Sequence, residues 1–165
     1  IIQYIQNHTF WPVDMSMLQA NIKLSIFPDE GLIIDENLSL KSSLHGHPNG
    51  ANSYKIVVGN KMIAYSTDCE HPKGLNQNVI NNAKGADLLI HDAQYNNHEL
   101  EKYKGWGHSS WEQAVEVAQL SNAKKLVLFH HDPSRSDSEL DVIEKKAQKI
   151  FSNTIVARQG LELII

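Results

Sequence analysis

The segment Leu126-Val127-Leu128-Phe129-His130-His131-Asp132-Pro133 is the most informative stretch of this chain. An apolar run of strand length ends abruptly in two histidines, an aspartate and a proline. A buried strand that carries imidazole groups at its tip is one way in which folds build metal sites, because the strand fixes the direction of each ring. The segment therefore predicts a buried strand with a candidate metal ligand at its end.

The composition is that of a single globular domain. The chain has 165 residues, of which 41% are hydrophobic and 21% charged, and its net charge is −4. This charge argues against a broad nucleic-acid surface. The single cysteine, Cys69, cannot form an internal disulfide, which fits a reducing compartment and predicts a cytoplasmic location. No run of 18 apolar residues is present, so no membrane partner is expected.

Local patterns predict a mixed sheet with helices packed on it. Strands are expected over residues 22–27, 32–34, 38–40, 54–58, 61–66, 86–91, 125–130, 153–157 and 161–165, with a hairpin turn at Gly59-Asn60. Helices are expected over residues 74–84, after a capping box at Ser110/Gln113 or Ser109/Glu112, and after one at Ser136/Glu139. A long loop covers residues 93–109, and Phe10-Trp11-Pro12-Val13 forms another. Strands that first meander and then alternate with helices indicate an α/β layered domain without a linker.

Ligand-type residues recur beside the predicted strands. His47 lies in a turn before a strand, Asp68 follows a strand, and His130 ends one. Each alone is compatible with an ordinary turn residue, but convergence of the three at one sheet edge would form a metal site. His108 directly precedes a helix start, where free N–H groups favour an anion. Cys69 is interpreted as a packed residue, because no lysine or arginine pair lies near it in sequence to activate the thiol.

Five ordered segments carry a family resemblance. They are HPNGANSYKI (47–56), YSTD (65–68), LIHDA (89–93), GHSS (107–110) and LVLFH (126–130). Together they resemble the metallo-β-lactamase fold hydrolases, and most closely the branch with ribonuclease Z and the cyclic phosphodiesterases of the phosphonate pathway. The resemblance covers nearly the whole chain and implies an α/β fold of the αβ/βα sandwich type.

The resemblance also implies roles for single residues. His47, Asp68 and His130 match metal ligands, with Asp68 bridging two divalent cations, zinc by preference and manganese as an alternative. His108 matches a histidine that contacts the scissile phosphate and donates a proton to the leaving group. Asp92 matches the acidic residue that orients this histidine, although ribonuclease Z-like members usually have a glutamate there.

One hallmark of the family is missing. Its His-x-His-x-Asp-His motif would need Asp and His after His45 and His47, but Asn49 and Gly50 occupy those positions. The chain also begins without Met at Ile1. We therefore expect residues 1–165 to be the C-terminal part of a single metallo-hydrolase domain, lacking its N-terminal portion. Its partner would be the missing N-terminal segment or a second copy of the chain.

The expected function is hydrolysis of a small phosphodiester or nucleotide-type substrate by water activated at two metals; whether this chain alone is active stays open. A hydrolase of thioesters, lactones or lactams is one alternative, which the GHSS segment disfavours. A non-catalytic regulatory module of the same fold is another. A nuclease acting on tRNA is a third, and the acidic net charge weighs against it.

Overall fold

The computed structural model describes residues 17–23 and 25–165. Within these residues, seven strands form one sheet in chain order. The strands are β1 (Leu32–Ile33), β2 (Leu38–His45), β3 (Ala51–Val58), β4 (Lys61–Ser66), β5 (Leu88–Asp92), β6 (Leu126–Phe129) and β7 (Thr154–Val156). The helices are α1 (Gln77–Ala83), α2 (Trp111–Leu120) and α3 (Asp137–Gln148). No helix in this part of the chain is long and apolar enough to cross a membrane.

Strand directions bring several carboxyl ends to one edge of the sheet. The first four strands pair antiparallel, and β4 to β7 pair parallel. Because β2 and β4 both run antiparallel to β3, they point the same way. The ends of β2, β4, β5 and β6 therefore lie at the same edge, where the short apolar strands give way to polar residues. The predicted hairpin at Gly59-Asn60 is confirmed, with Val58 paired to Lys61.

All three helices pack on one face of the sheet. Side chains alternate along a strand, so Leu89 of β5 and Leu126 and Leu128 of β6 point to the same face. There they are fully buried against Val79 of α1 and Val117 of α2. The predicted capping boxes hold the other two helix starts: Ser110 with Gln113 at α2, and Ser136 with Glu139 at α3. Ser109 does not cap α2; it precedes the cap.

The opposite face of the sheet, which we call the open face, is also apolar. Cross-strand register places Leu40, Ile56 and Ile63 side by side, with Tyr54 beside Tyr65. Most of its side chains are partly exposed. None of the described helices covers this face, because their buried residues all belong to the core on the other side.

Several local predictions differ from the structure. The strand expected over residues 38–40 continues to His45, because its backbone stays paired with β3 over that whole length. The described residues within 22–27 and all of residues 161–165 are not in strands, because alternation alone supplies no partner strand to complete the hydrogen bonds. The first helix begins at Gln77 rather than at residue 74, since the Asn76 side chain accepts from the N–H of Asn78 and caps it there. The predicted loop at Phe10-Trp11-Pro12-Val13 lies outside the described residues.

Candidate active site

Three predicted site residues meet at the ends of neighbouring parallel strands. Asp68 lies two residues after β4, Asp92 is the last residue of β5, and His130 follows β6 directly. Since β4, β5 and β6 are adjacent, their ends converge. His130 Nε2 lies 3.6 Å from Asp68 Oδ1, and His130 Nδ1 lies 3.8 Å from Asp92 Oδ2.

His47 reaches the same edge from the turn between β2 and β3. Its ligand nitrogen, an Asp68 carboxylate oxygen and a His108 nitrogen all lie within 4.8 Å of one another. The His47 ring packs against Gly107, where there is no side chain. A Cβ at this position would come within 2.8 Å of His47 Nε2 and of Pro48 Cδ. The five residues predicted from sequence are therefore brought together, and we refer to them as the candidate active site.

The backbone is strained at two of these positions. Asp68 has a φ of 53° and His130 a φ of 58°. Within the described part of the chain, Asn122 is the only other non-glycine residue with a positive φ, and asparagine tolerates that region well. Such strain persists where the surrounding structure holds it in place, and it concentrates at functional sites.

Asp92 holds His108 in one orientation. The Nδ1–H of His108 donates to Asp92 Oδ2 at 2.9 Å, and the Asp92 side chain is fully buried. The backbone N–H groups of Ser109, Gln94 and Cys69 also donate to this carboxylate, at 3.0, 3.2 and 3.4 Å. These bonds offset the cost of burying its oxygens. The aspartate thus reaches His108 although it is shorter than the glutamate usual in ribonuclease Z-like proteins.

Electrostatics favour the protonated form of His108. Burial lowers its pKa, but the hydrogen bond that His108 donates to Asp92 and the negative charges of Asp92, Asp68 and Glu70 outweigh burial, so the pKa is raised above its ordinary value of 6.5. A histidine with a raised pKa carries a proton at neutral pH in a larger share of molecules, which suits a proton donor.

His108 also lies within reach of a metal, a role that the sequence did not suggest. Its ring stacks on that of His130, with centroids 4.8 Å apart. Ligand atoms of Asp92, His108 and His130 all lie within 4.8 Å of one another. A histidine that ligates a metal through one nitrogen commonly donates its other N–H to a carboxylate. The bond to Asp92 is therefore compatible with either role.

Glu70 is a site component that sequence reasoning missed. Its carboxylate accepts from the backbone N–H groups of Gly105 at 2.6 Å and Gly107 at 3.2 Å, which ties the long loop to the sheet edge beside His108. The same loop is anchored inside by Tyr95, whose ring stacks on Tyr103 at 4.5 Å. A glycine-rich loop with free N–H groups implies an acceptor, but nothing in the sequence identifies which residue supplies it.

The donor set suits a divalent cation. His47 and His130 supply imidazole nitrogens, and Asp68 supplies a carboxylate oxygen. Zinc binds both kinds of atom. Two overlapping groups of ligand atoms share His108, one with His47 and Asp68 and the other with Asp92 and His130.

A family model described as "Beta-lactamase superfamily domain" matches residues 23–131. This span runs from before β1 to just after β6 and contains all five residues of the candidate active site. The chain belongs to the beta-lactamase superfamily. Its fold is the metallo-β-lactamase fold, so the resemblance that the five ordered segments indicated is confirmed at the level of family and fold.

Several superfamily relatives carry the name ribonuclease Z. The protein of that name from Sulfurisphaera tokodaii is 42% identical over 104 residues, which is 63% of this chain and 33% of the relative. The one from Archaeoglobus fulgidus is 34% identical over 116 residues, or 66% of this chain and 35% of the relative. The chain thus spans about a third of the length of the curated relatives that it matches.

Solved structures of the superfamily show the same fold. The metallo-beta-lactamase fold protein YhfI from Bacillus subtilis superposes with a TM-score of 0.68 at 21% identity, covering 84% of this chain and 54% of that one. The short form of human tRNase Z gives a TM-score of 0.59 at 23% identity, covering 79% and 44%. At these identities the likeness concerns the fold only.

Proposed function

We propose that this chain carries catalytic residues of a metal-dependent phosphodiester hydrolase. The observation that carries the proposal is the meeting of His47, Asp68 and His130 at one sheet edge, next to a His108 ring held by buried Asp92. The ribonuclease Z relatives agree with this chemistry.

His47, Asp68 and His130 would hold divalent cations, and zinc suits their donor atoms. We propose two cations with Asp68 as their common ligand; the support is that Asp68 lies within 4.8 Å of a His47 nitrogen on one side and that its Oδ1 lies 3.6 Å from His130 Nε2 on the other. When bound, such cations neutralise charge on a phosphate and lower the pKa of water.

His108 would donate the proton that the leaving oxygen needs. Asp92 fixes the Nδ1–H, so Nε2 is the atom left to face the substrate. Glu70 holds the loop that carries His108 and adds a negative charge that favours the protonated ring. A positioned proton donor contributes about 10²–10⁴-fold to a rate.

We propose RNA as the substrate class. The names of the relatives point to it, whereas none of them supports the small phosphodiester that we expected from the sequence. The acidic net charge, which weighed against a tRNA nuclease, describes the chain as a whole and leaves room for local contacts.

We also propose that these residues form the C-terminal part of one metallo-hydrolase domain, whose open face packs against a further layer. The apolar side chains of that face support this. The occupant would be an N-terminal segment or a second copy of the chain, and sedimentation distinguishes them: a dimer supports the copy.

The test uses His108→Ala with His98→Ala as the matched control, because His98 is an exposed histidine of the same loop. Both are measured in the full-length protein for zinc content, for cleavage of a tRNA precursor and for hydrolysis of bis(p-nitrophenyl) phosphate. We expect His108→Ala to keep its metal and lose about 10²–10⁴-fold in rate.

Loss of metal together with rate would instead make His108 a ligand. An unchanged rate would remove it from the mechanism. Hydrolysis of the small diester with no cleavage of RNA would overturn the proposed substrate class but leave the chemistry intact.

A further inference from the structure

A second group of metal-binding side chains lies on the helix side of the same sheet edge. It comprises His45, Cys69, His71 and His91, and we call it the buried cluster. Their exposed fractions are 6%, 0%, 6% and 0%. None of them belongs to the candidate active site.

Side-chain alternation separates the buried cluster from the candidate active site. His91 and Asp92 are consecutive residues of β5 and point to opposite faces of the sheet. After β4, Asp68 is partly exposed, whereas the next residue, Cys69, is fully buried. Neighbouring positions therefore supply two sets of ligand-type groups, one facing the cleft and the other facing the core.

The geometry of the buried cluster is close to that of a metal site. Cys69 Sγ lies 3.9 Å from His71 Nε2, and ligand atoms of Cys69, His71 and His91 all lie within 4.8 Å of one another. Zinc bonds of about 2.3 Å to sulfur and 2.0–2.1 Å to nitrogen, at a tetrahedral angle, place those atoms roughly 3.5 Å apart. Small movements of these three side chains would form such a site, and His45, which is outside this 4.8 Å group, would have to move further to join it.

An unpartnered nitrogen points to a missing ligand. His91 Nδ1–H donates to the carbonyl of Asp92 at 2.8 Å, so Nε2 carries a lone pair, and no group of the described residues bonds to it. His45 shows the same arrangement, with Nδ1 3.4 Å from the Gly46 carbonyl and Nε2 unpartnered. A ring N–H that donates to a backbone carbonyl is the usual arrangement of a histidine that ligates a metal.

His71 must rearrange to take part. Its Nδ1 accepts from the N–H of Asn76 at 3.0 Å, which leaves the proton on Nε2, facing the sulfur. Ligation through Nε2 moves this proton to Nδ1 and breaks the bond to Asn76. That segment is short and partly exposed, so the Asn76 N–H can bond to water instead. A cavity of about 170 Å³, lined by His71, Glu70 and Glu101, offers an entry path.

We propose that Cys69, whose thiol releases its proton to solvent on binding, His71 and His91 bind one divalent transition-metal ion, with His45 as the fourth ligand. The mixed thiolate and imidazole set selects zinc over magnesium, calcium or manganese. The ion would link β2, β5 and the segment after β4 beneath the candidate active site, so its binding would stabilise the fold. This inference does not depend on the proposed hydrolase function.

Cobalt(II) is the probe, because a thiolate ligand to cobalt gives a charge-transfer absorption in the near ultraviolet. Cys69 is the only cysteine of the chain, so this band reports the buried cluster alone. We expect cobalt added to the metal-free 165-residue chain to produce the band, and zinc to abolish it. Cys69→Ser and His91→Gln should lose the band, while Asp68→Asn, which removes a proposed ligand of the candidate active site but no ligand of the buried cluster, should keep it.

His71→Gln tests the proposal if the variants at the more deeply buried positions fail to fold, since His71 lines the open cavity. We expect this variant to keep its circular dichroism spectrum and to lose or weaken the band. Absence of the band in the unmodified chain at saturating cobalt would overturn the proposal. So would a band that persists at full strength in His71→Gln and His91→Gln.

Discussion

Gly107 is the position where one added methyl group should most directly test the metal role of His47. Its φ is +92°, and a Cβ there would lie 2.8 Å from His47 Nε2 and 2.8 Å from Pro48 Cδ. Carbon atoms in contact prefer separations of about 3.5–4.0 Å. Gly107→Ala therefore forces the His47 ring or the loop to move by roughly 1 Å.

Two effects of Gly107→Ala can be separated by magnitude. The positive φ costs about 1–2 kcal/mol of folding stability in any residue with a Cβ. Displacement of the His47 ring acts on metal affinity, and we expect a loss of about 10–100-fold, as for residues that orient a ligand.

Gly105→Ala is the matched control. Gly105 lies in the same loop with a φ of +82°, but a Cβ there meets nothing within 4 Å. Both variants are made in a Cys69→Ser background, which removes the buried cluster from the zinc count, and are studied by urea unfolding and zinc titration. Both should lose stability through the positive φ, Gly107→Ala the more because its Cβ also clashes with His47 and Pro48, and only Gly107→Ala should lose zinc affinity. Equal zinc affinity in the two variants would refute the assignment of His47 as a ligand.

Three further predictions each concern one side chain. Asp92→Asn should lower the pKa of His108, because a negative charge that raises it is removed; a histidine titration by NMR that shows no change would contradict this. Ser110→Ala should cost about 1 kcal/mol, since it removes the cap of α2, as measured by urea unfolding. The metal-free chain should lose stability below pH 6.5 because the pKa of His71 is lowered to about 3. Burial is the largest cause of this shift, and the charges of His91 and His45 are the smaller ones. The unfolded chain then binds a proton that the fold excludes, so this ring alone should cost roughly 2–3 kcal/mol by about pH 4.5; unfolding curves that coincide at pH 7 and 4.5 would contradict the argument.

The site edge could be predicted from sequence because its signal is local. Asp68 and His130 each follow an apolar run at the point where a strand must end, and parallel neighbouring strands bring such ends together. The positive φ of both residues could not be predicted, since it is uncommon in any residue other than glycine and no local pattern marks where it occurs.

The errors concern features that depend on distant partners. Residues 161–165 alternate like a strand, but alternation cannot show that a neighbouring strand is available. Glu70 holds Gly105 and Gly107, which lie 35 and 37 residues further along the chain, and no periodicity links them. Cys69 was correctly expected to be packed; its histidine neighbours come from separate segments that only the folded chain brings together.

The candidate active site and the buried cluster share one backbone, and this links stability to chemistry. The N–H of Cys69 donates to Asp92 Oδ2, the oxygen that also accepts from His108. The hydroxyl of Ser109, next to His108, donates to the carbonyl of Cys69. A change that moves the Cys69 backbone therefore moves two contacts that position Asp92 and His108. A metal bound to the Cys69 thiolate would fix this backbone, so that an ion without contact to substrate would still help to set the orientation of the proton donor.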